Sequence, residues 1–255
     1  MMNAMGKFFL FFVLPALLTA ASLAASQQRN PVVVELFTSE GCSSCPPADA
    51  ILSKLRNEGT ADGSEILILG EHVDYWNNLG WTDRFSSAAF TKRQAGYADH
   101  FDLNSSYTPQ MVIDGHVELV GNGESAVRRQ LSLAAHSQKP AQVSLSWDAT
   151  GKLQVNIDST NETNGKVLLA ITEDGLSTRV GGGENGGRVL NHSGVVRDLR
   201  EIGSLKQGKF SETLKAASSP DWKQENLRAI VFVQKPGHGD VLGAASLGYS
   251  GTVPK

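Results

Sequence analysis

Three hydrophobic patterns succeed one another along the chain. Phe8 to Leu18 is an unbroken apolar run followed by small residues. From about residue 30 to residue 138, short β-branched or aromatic runs alternate with segments whose apolar positions recur every three or four residues. Beyond Ala141 the dominant period is two. In the middle region Val32 to Phe37 reads as a buried strand, and Ala48, Ile51, Leu52 and Leu55 mark one face of a helix that Gly59 ends. Ile66 to Val73 predicts a second strand, Ser86 to Phe101 a second helix, Gln110 to Ile113 a third strand, and Val117 to Val120 a fourth after the turn-forming Asp114-Gly115. Ser125 to Ala135 closes the unit as a helix, giving the order βαβαββα. In the last region Val143 to Trp147, Leu153 to Ile157 and Val167 to Ile171 alternate, and further strands are expected over 195–202, 210–214, 227–233 and 241–247. Short strands at this density, separated by Gly, Asn and Asp turns, predict a mainly antiparallel β-sandwich over residues 140–250. Lys139-Pro140 is the expected boundary with an α/β domain over residues 29–138.

The first pattern is a targeting signal rather than part of the fold. Lys7, the apolar run and the small residues Thr19 to Ser26 have the order of a secretory leader, with Ser22 and Ala24 suited to the positions before a cleavage site. Eleven apolar residues fall short of the roughly 20 that a spanning helix needs. Residues 1–24 are therefore expected to be removed near Ala24, leaving a periplasmic or secreted protein with no membrane span. The full chain has 255 residues, 23 Lys plus Arg and 26 Asp plus Glu. Loss of Lys7 makes the balance 22 against 26, or −4. A mildly acidic chain lacks the clustered basic charge that nucleic-acid binding requires.

Export sharpens the meaning of the cysteines. There are two, Cys42 and Cys45, in Glu40-Gly41-Cys42-Ser43-Ser44-Cys45-Pro46-Pro47. A bridge across two residues closes too short a loop to stabilise the chain much, so reactivity explains the pair better than stapling. The strand before it and the helix after it would hold the thiols at a helix N-terminus, where backbone N–H groups and the dipole favour a thiolate. Pro46 at the first helical position, with Cys45 flanking it, satisfies the restrictions that proline imposes.

The strand and helix order, with C-x-x-C after the first strand, resembles the thioredoxin core. That resemblance implies a cis-proline before the third core strand, and Thr108-Pro109 stands there. It implies that Thr108 offers backbone groups to an incoming peptide, that Cys42 is the nucleophile and that Cys45 resolves the mixed disulfide. Ordinary thioredoxins have a proline between the cysteines and a tryptophan before them, where this chain has Ser43-Ser44 and Gly41. Their buried acid lies six residues before the first cysteine, an offset held here by Leu36. Glu35, one residue earlier, reaches the site if the strand carries a bulge and otherwise faces solvent. Phe37 to Asp49, Val73-Asp74-Tyr75-Trp76 with Gly80-Trp81, Tyr107 to Val112, Gly183-Glu184-Asn185, Arg188, Leu190, His192 and Val195-Val196-Arg197 together resemble a family of secreted bacterial thioredoxin-like proteins of unknown function.

Function is correspondingly open among three classes. The leading expectation is an exported thiol–disulfide oxidoreductase acting on protein or small-molecule thiols and disulfides with an unidentified redox partner, and without a resident cofactor. Tyr75, Trp76 and Trp81 would line its substrate groove, or else form a small local core. A second class is a soft-metal carrier holding copper through both thiolates, with His72 as a third donor. A third is a non-catalytic binding module. The Gly181 to Arg188 segment reads as a flexible connection, while Glu184, Arg188, His192 and Arg197 are candidates for docking the two halves.

Overall fold

A computed structural model describes residues 30–160 and 163–250, together with residue 1. The expected leader and its cleavage point lie outside the described residues. Among the described residues no helix is long and apolar enough to cross a membrane.

The N-terminal elements are β1 (Val32–Thr38), α1 (Pro46–Glu58), β2 (Thr60–Ala61), β3 (Ser64–His72), α2 (Ala88–His100), β4 (Gln110–Ile113), β5 (Val117–Val120) and α3 (Glu124–His136). β1 runs parallel to β3, from Val32 opposite Ile66 to Thr38 opposite His72, and antiparallel to β4. Because successive strand residues face opposite sides, Val32, Val34 and Leu36 meet α1 and α3 through Ala48, Leu52, Leu55, Val127 and Leu131. Val33 and Phe37 face the other side, where Phe90 and Tyr97 of α2 are buried. α1 begins with prolines at its first two positions and ends where Gly59 adopts φ 73°, its N–H donating to the Leu55 carbonyl.

The chain continues through β6 (Ala141–Trp147), β7 (Leu153–Ser159), β8 (Gly165–Glu173), β9 (Leu176–Arg179), β10 (Val189–His192), β11 (Val195–Leu205), β12 (Lys209–Leu214), β13 (Leu227–Gln234) and β14 (Val241–Gly248). β6, β7 and β12 form a three-stranded antiparallel sheet. Their inward residues Leu153, Val155 and Ile157 pack with Val167, Leu169, Ile171, Ala229 and Val231 of β8 and β13.

The larger sheet does not stop at Lys139-Pro140. Its order is β14-β13-β8-β11-β3-β1-β4-β5, with β2 on β3, so strands from both sides of the expected boundary share one surface. The joint is narrow. Val195 pairs in parallel with Gly70, and the Gly70 N–H donates to Gly194 O at 2.7 Å. Gly194 has φ 60°, and a Cβ there would lie 2.6 Å from the Ile68 side chain, so the close approach requires glycine. Beneath the joint, Val33, Leu67, Leu69 and Phe90 share a core with Leu168, Ala170, Val196, Ile230 and Phe232. The boundary residue is anchored too. The Lys139 ammonium is buried and bonds Asp114 Oδ1 at 2.7 Å and the Pro31 carbonyl.

Candidate functional site

β1 delivers the chain to the site. After Thr38 the backbone turns, with the Cys42 N–H donating to Ser39 O at 3.2 Å and the Cys45 N–H to Cys42 O at 3.2 Å. Cys42 and Cys45 are joined as a disulfide with their Cα atoms 5.4 Å apart. Cys45 stands before the first residue of α1 with helical φ −78° and ψ −38°. Both cysteines are buried, at 1% and 0% exposure.

The cover over them comes from the distant β9–β10 connection. Asn185, itself fully buried, donates through Nδ2 to both Glu40 O and Cys42 O at 2.9 Å, while its Oδ1 accepts from Arg188 at 3.0 Å. Glu184 Oε2 accepts the Ser43 N–H at 3.0 Å, and the Ser43 hydroxyl together with this N–H pulls the Glu184 carboxyl below the usual range. The glycines around them serve close approach. A Cβ on Gly182 would sit 2.5 Å from Gly80 O, and one on Gly181 would sit 3.0 Å from the Trp81 ring. The segment expected to be a flexible connection is therefore a clasp over the cysteine loop, and its glycines let it lie flat.

On another side lies the peptide bond between Thr108 and Pro109, which is cis. Gln110, the next residue, pairs with Phe37 near the end of β1, so Pro109 flanks the turn into the cysteine loop. Trp76 ties the two together. Its Nε1–H donates to Thr108 Oγ1 at 2.9 Å, and its Cβ would be 3.2 Å from a side chain at Gly41. Tyr75 is 39% exposed beside Thr108 and Gln94; burial of its ring end raises its hydroxyl pKa, with hydrogen bonds from those two residues opposing. Trp81 is placed differently, donating through Nε1–H to Glu40 Oε2 at 2.8 Å under the glycine clasp. The three aromatics thus split, with Tyr75 and Trp76 at Thr108 and Trp81 bonded to the residue two before Cys42.

Below the loop is a cluster that the sequence did not reveal as a unit. Asp83 Oδ2 bonds His72 Nδ1 at 2.6 Å and accepts the Glu40 N–H at 2.9 Å. Glu40 Oε1 lies 3.2 Å from His192 Nε2, and the two imidazole rings meet edge to face at 4.9 Å. Asp49 of α1 is buried among them. Burial opposes the charge of His72, yet the Asp83 carboxylate outweighs it and the imidazole pKa is raised. Burial likewise opposes ionisation of Asp83 and Glu40, but His72 holds the first carboxyl below the usual range and His192 holds the second there. Asp49 goes the other way, since burial raises its pKa and His192 and His72 only partly offset this. Sequence spacing gave no hint, because the five residues come from α1, β3, β10 and two loops.

Glu35 belongs to a separate cluster. β1 is in unbroken register with both neighbours, so no bulge turns Glu35 toward the cysteines, and it is fully buried rather than solvent-facing. With Val33 and Phe37 it points toward α2, where Arg93 Nε donates to Oε2 at 2.5 Å and the Tyr97 hydroxyl donates to Oε1. Gln234 from β13 completes the contact, accepting from Arg93 Nη2 at 3.0 Å. Burial disfavours the Glu35 charge but Arg93 outweighs it, while burial and the Glu35 charge push neighbouring Glu71 well above the carboxylate range. Among the described residues no group of three or more His, Cys, Asp or Glu is placed to hold a metal ion. His72, the candidate third copper donor, has its Nδ1 committed to Asp83.

A mixed sheet carrying a covered C-x-x-C disulfide beside a cis X-Pro bond defines the class of protein. The chain belongs to the family described as protein of unknown function (DUF1223), whose model matches residues 33–234. A crystal structure of protein AGR_C_4864 from Agrobacterium tumefaciens is similar, at 28% identity over 90% of this chain and 99% of that one, with a TM-score of 0.72. HBP35 of Porphyromonas gingivalis shares the fold at 15% identity and a TM-score of 0.66, covering 86% of this chain and 75% of its own. No curated protein matches the sequence.

Proposed function

We propose that this protein is an exported thiol–disulfide oxidoreductase built on a thioredoxin-like unit, with a β-sandwich formed by its second half. The observation that carries the reading is the Cys42–Cys45 disulfide at the start of α1, linked through Trp76 to the cis Thr108-Pro109 bond. In the reduced pair one thiolate attacks a substrate disulfide and expels one substrate thiolate, and the second thiol then attacks the mixed disulfide, closing the Cys42–Cys45 bond and releasing the other substrate thiolate; the oxidised pair runs the same steps in reverse with a substrate dithiol. Cys42 is assigned as the exchanging sulfur and Cys45 as the resolving one. Thr108 and Pro109 flank the approach, and Tyr75, with the larger exposure, is the aromatic that meets substrate. Protein or small-molecule thiols and disulfides are the substrate class, and the periplasm or the extracellular space is the location that the leader-like N-terminus supports.

Burial of both cysteines favours a second reading, a binding module whose disulfide is inert. Equilibration of the mature protein with glutathione buffers, followed by alkylation and mass spectrometry, separates the two. Redox exchange within the glutathione range, with Cys45→Ala trapping mixed disulfides, supports the oxidoreductase. A pair that stays oxidised throughout supports the module, and trapping by Cys42→Ala alone exchanges the roles of the thiols.

A further inference from the structure

The Cys45 sulfur is enclosed, and a buried thiolate formed by disulfide cleavage needs a proton source inside the protein. Cys45 has helical dihedrals and its carbonyl accepts the Asp49 N–H at 3.1 Å, so the two residues are one helical turn apart on the same face of α1. Helical side chains lean toward the N-terminus, which directs the Asp49 carboxyl back over the turn that Cys45 occupies. Asp49 is only 8% exposed and lines a groove of about 620 Å³ between α1 and β10 that opens to solvent. His192 and His72 face it from β10 and β3, Thr38 faces it from β1, and Asp83 and Glu40 pair with the two imidazoles. When His192 donates from Nε2 to Glu40, its buried Nδ1 has no hydrogen-bond partner and carries an open lone pair.

We infer that Asp49 is the internal proton donor and acceptor for Cys45 during disulfide exchange, resupplied through the groove and His192. This rests on the oxidoreductase reading and gives the buried acid role to a residue four after the second cysteine instead of to Glu35. In the reducing direction, one thiolate of a dithiol attacks Cys42 Sγ. The Cys42–Cys45 bond breaks, its electron pair goes to Cys45 Sγ, and the Asp49 carboxyl gives up its proton to form the Cys45 thiol. The second thiolate of the dithiol then attacks the mixed disulfide and releases Cys42 as a thiolate. Two electrons pass from the dithiol, which leaves as a disulfide. In the oxidising direction the Asp49 carboxylate takes the proton from Cys45 as its sulfur attacks the mixed disulfide. Burial supplies the condition for this, because it raises the Asp49 pKa and keeps a proton on the carboxyl to higher pH than at a surface aspartate.

The test is single-turnover reduction of the oxidised full chain by dithiothreitol from pH 5 to 9, followed by acid quench and alkylation. Asp49→Asn is expected to slow reduction about a hundredfold, a typical general-acid contribution, and to leave only the pH dependence of dithiothreitol itself. Asp49→Glu should restore a protein-dependent limb at a shifted pH, which a merely structural role would not produce. Folded Asp49→Asn with the wild-type rate and profile overturns the inference. If Asp49→Asn fails to fold, an unchanged profile in Asp49→Glu overturns it instead. A wild-type disulfide that dithiothreitol does not reduce defeats the oxidoreductase reading itself, and the two failures are therefore distinguishable.

Discussion

Replacing Asn185 by alanine strikes the clasp without touching either sulfur. The side chain is fully buried and makes three hydrogen bonds, two of them to carbonyls of the cysteine loop. Cys42 O keeps the Cys45 N–H at 3.2 Å, so the main new deficit is Glu40 O, together with the Arg188 guanidinium that loses its acceptor. A lost buried bond costs about 1 kcal/mol and an orphaned carbonyl about 1–3 kcal/mol, which places the total near 2–3 kcal/mol. Glu184 on Ser43 is the remaining side-chain hold of this segment on the loop, and it is exposed and screened by solvent.

If reagents reach the disulfide only when the clasp lifts, weakening it by about 2 kcal/mol multiplies the open population about thirtyfold, since every 1.4 kcal/mol is a factor of ten. The assay is reduction by dithiothreitol at low concentration, where rapid opening precedes cleavage, with urea unfolding run in parallel to fix the global loss. Asn185→Ala should be reduced about thirtyfold faster while its unfolding midpoint shows that it remains folded. Asn185→Asp, which sets a carboxylate against two carbonyl oxygens, should be faster still. Reduction of folded Asn185→Ala at the wild-type rate would refute the argument, because access would then not depend on the clasp.

Other expectations follow from the same geometry. His72 has a raised pKa, so its contribution to stability is complete below its unfolded value near 6.5 and is lost as pH rises through the folded value, whereas Asp83, with its lowered pKa, loses its contribution as pH falls below 3.8 toward its folded value. Asp83→Asn should cost about 3–5 kcal/mol at pH 6 and flatten the fall in urea midpoint above pH 6.5; a variant with the wild-type slope would refute the pairing. Gly243→Ala places a Cβ 2.0 Å from Ala141 O and should cost about 3 kcal/mol by thermal unfolding, while Gly248→Ala meets nothing within 4 Å and should change stability by less than about 0.5 kcal/mol. A fragment ending at residue 138 loses the cover over Leu67, Leu69 and Phe90 and exposes the β3 edge, so circular dichroism and gel filtration should show it unfolded or aggregated. A monomeric, cooperatively melting fragment would show that the shared sheet is dispensable.

Local signals in the sequence located most of the N-terminal elements to within a few residues, because each depends on its own pattern. The prolines after Cys45 placed the start of α1, and Gln110 to Ile113 and Val117 to Val120 match β4 and β5. What was not legible depends on tertiary pairing. β9 and β10 have only four residues each and flank a glycine run that looks like a linker until its partners, Gly80, Trp81 and the cysteine loop, are in place. Asn185 carries no sign in the sequence that it binds Glu40 O and Cys42 O. From sequence alone Glu35 fits a bulge or a solvent-facing site, because its partner Arg93 sits on α2 and reaches β1 only after the helix packs. The parallel contact of Val195 with Gly70 has no periodicity to announce it, and so the continuity of the sheet was invisible.

That continuity explains how the second half comes to touch the cysteine loop of the first. β11 joins β3 at Gly70, two residues before His72, and the preceding residues Leu190 to Gly194 bring His192 into the cluster beneath the cysteines. The strand joint and the buried His192–Glu40 contact are therefore two consequences of one backbone path, in which β10 ends at the site and β11 begins in the sheet. The β9–β10 hairpin holds the clasp at its tip, so Glu184 and Asn185 are set over the disulfide by the same hairpin whose last residue is His192. A separate domain on a free linker could supply a lid, but it could not hold a buried imidazole within 3.2 Å of Glu40 beneath that lid. The shared sheet does both, and it ties the cover over the cysteine loop and the cluster below it to a single element.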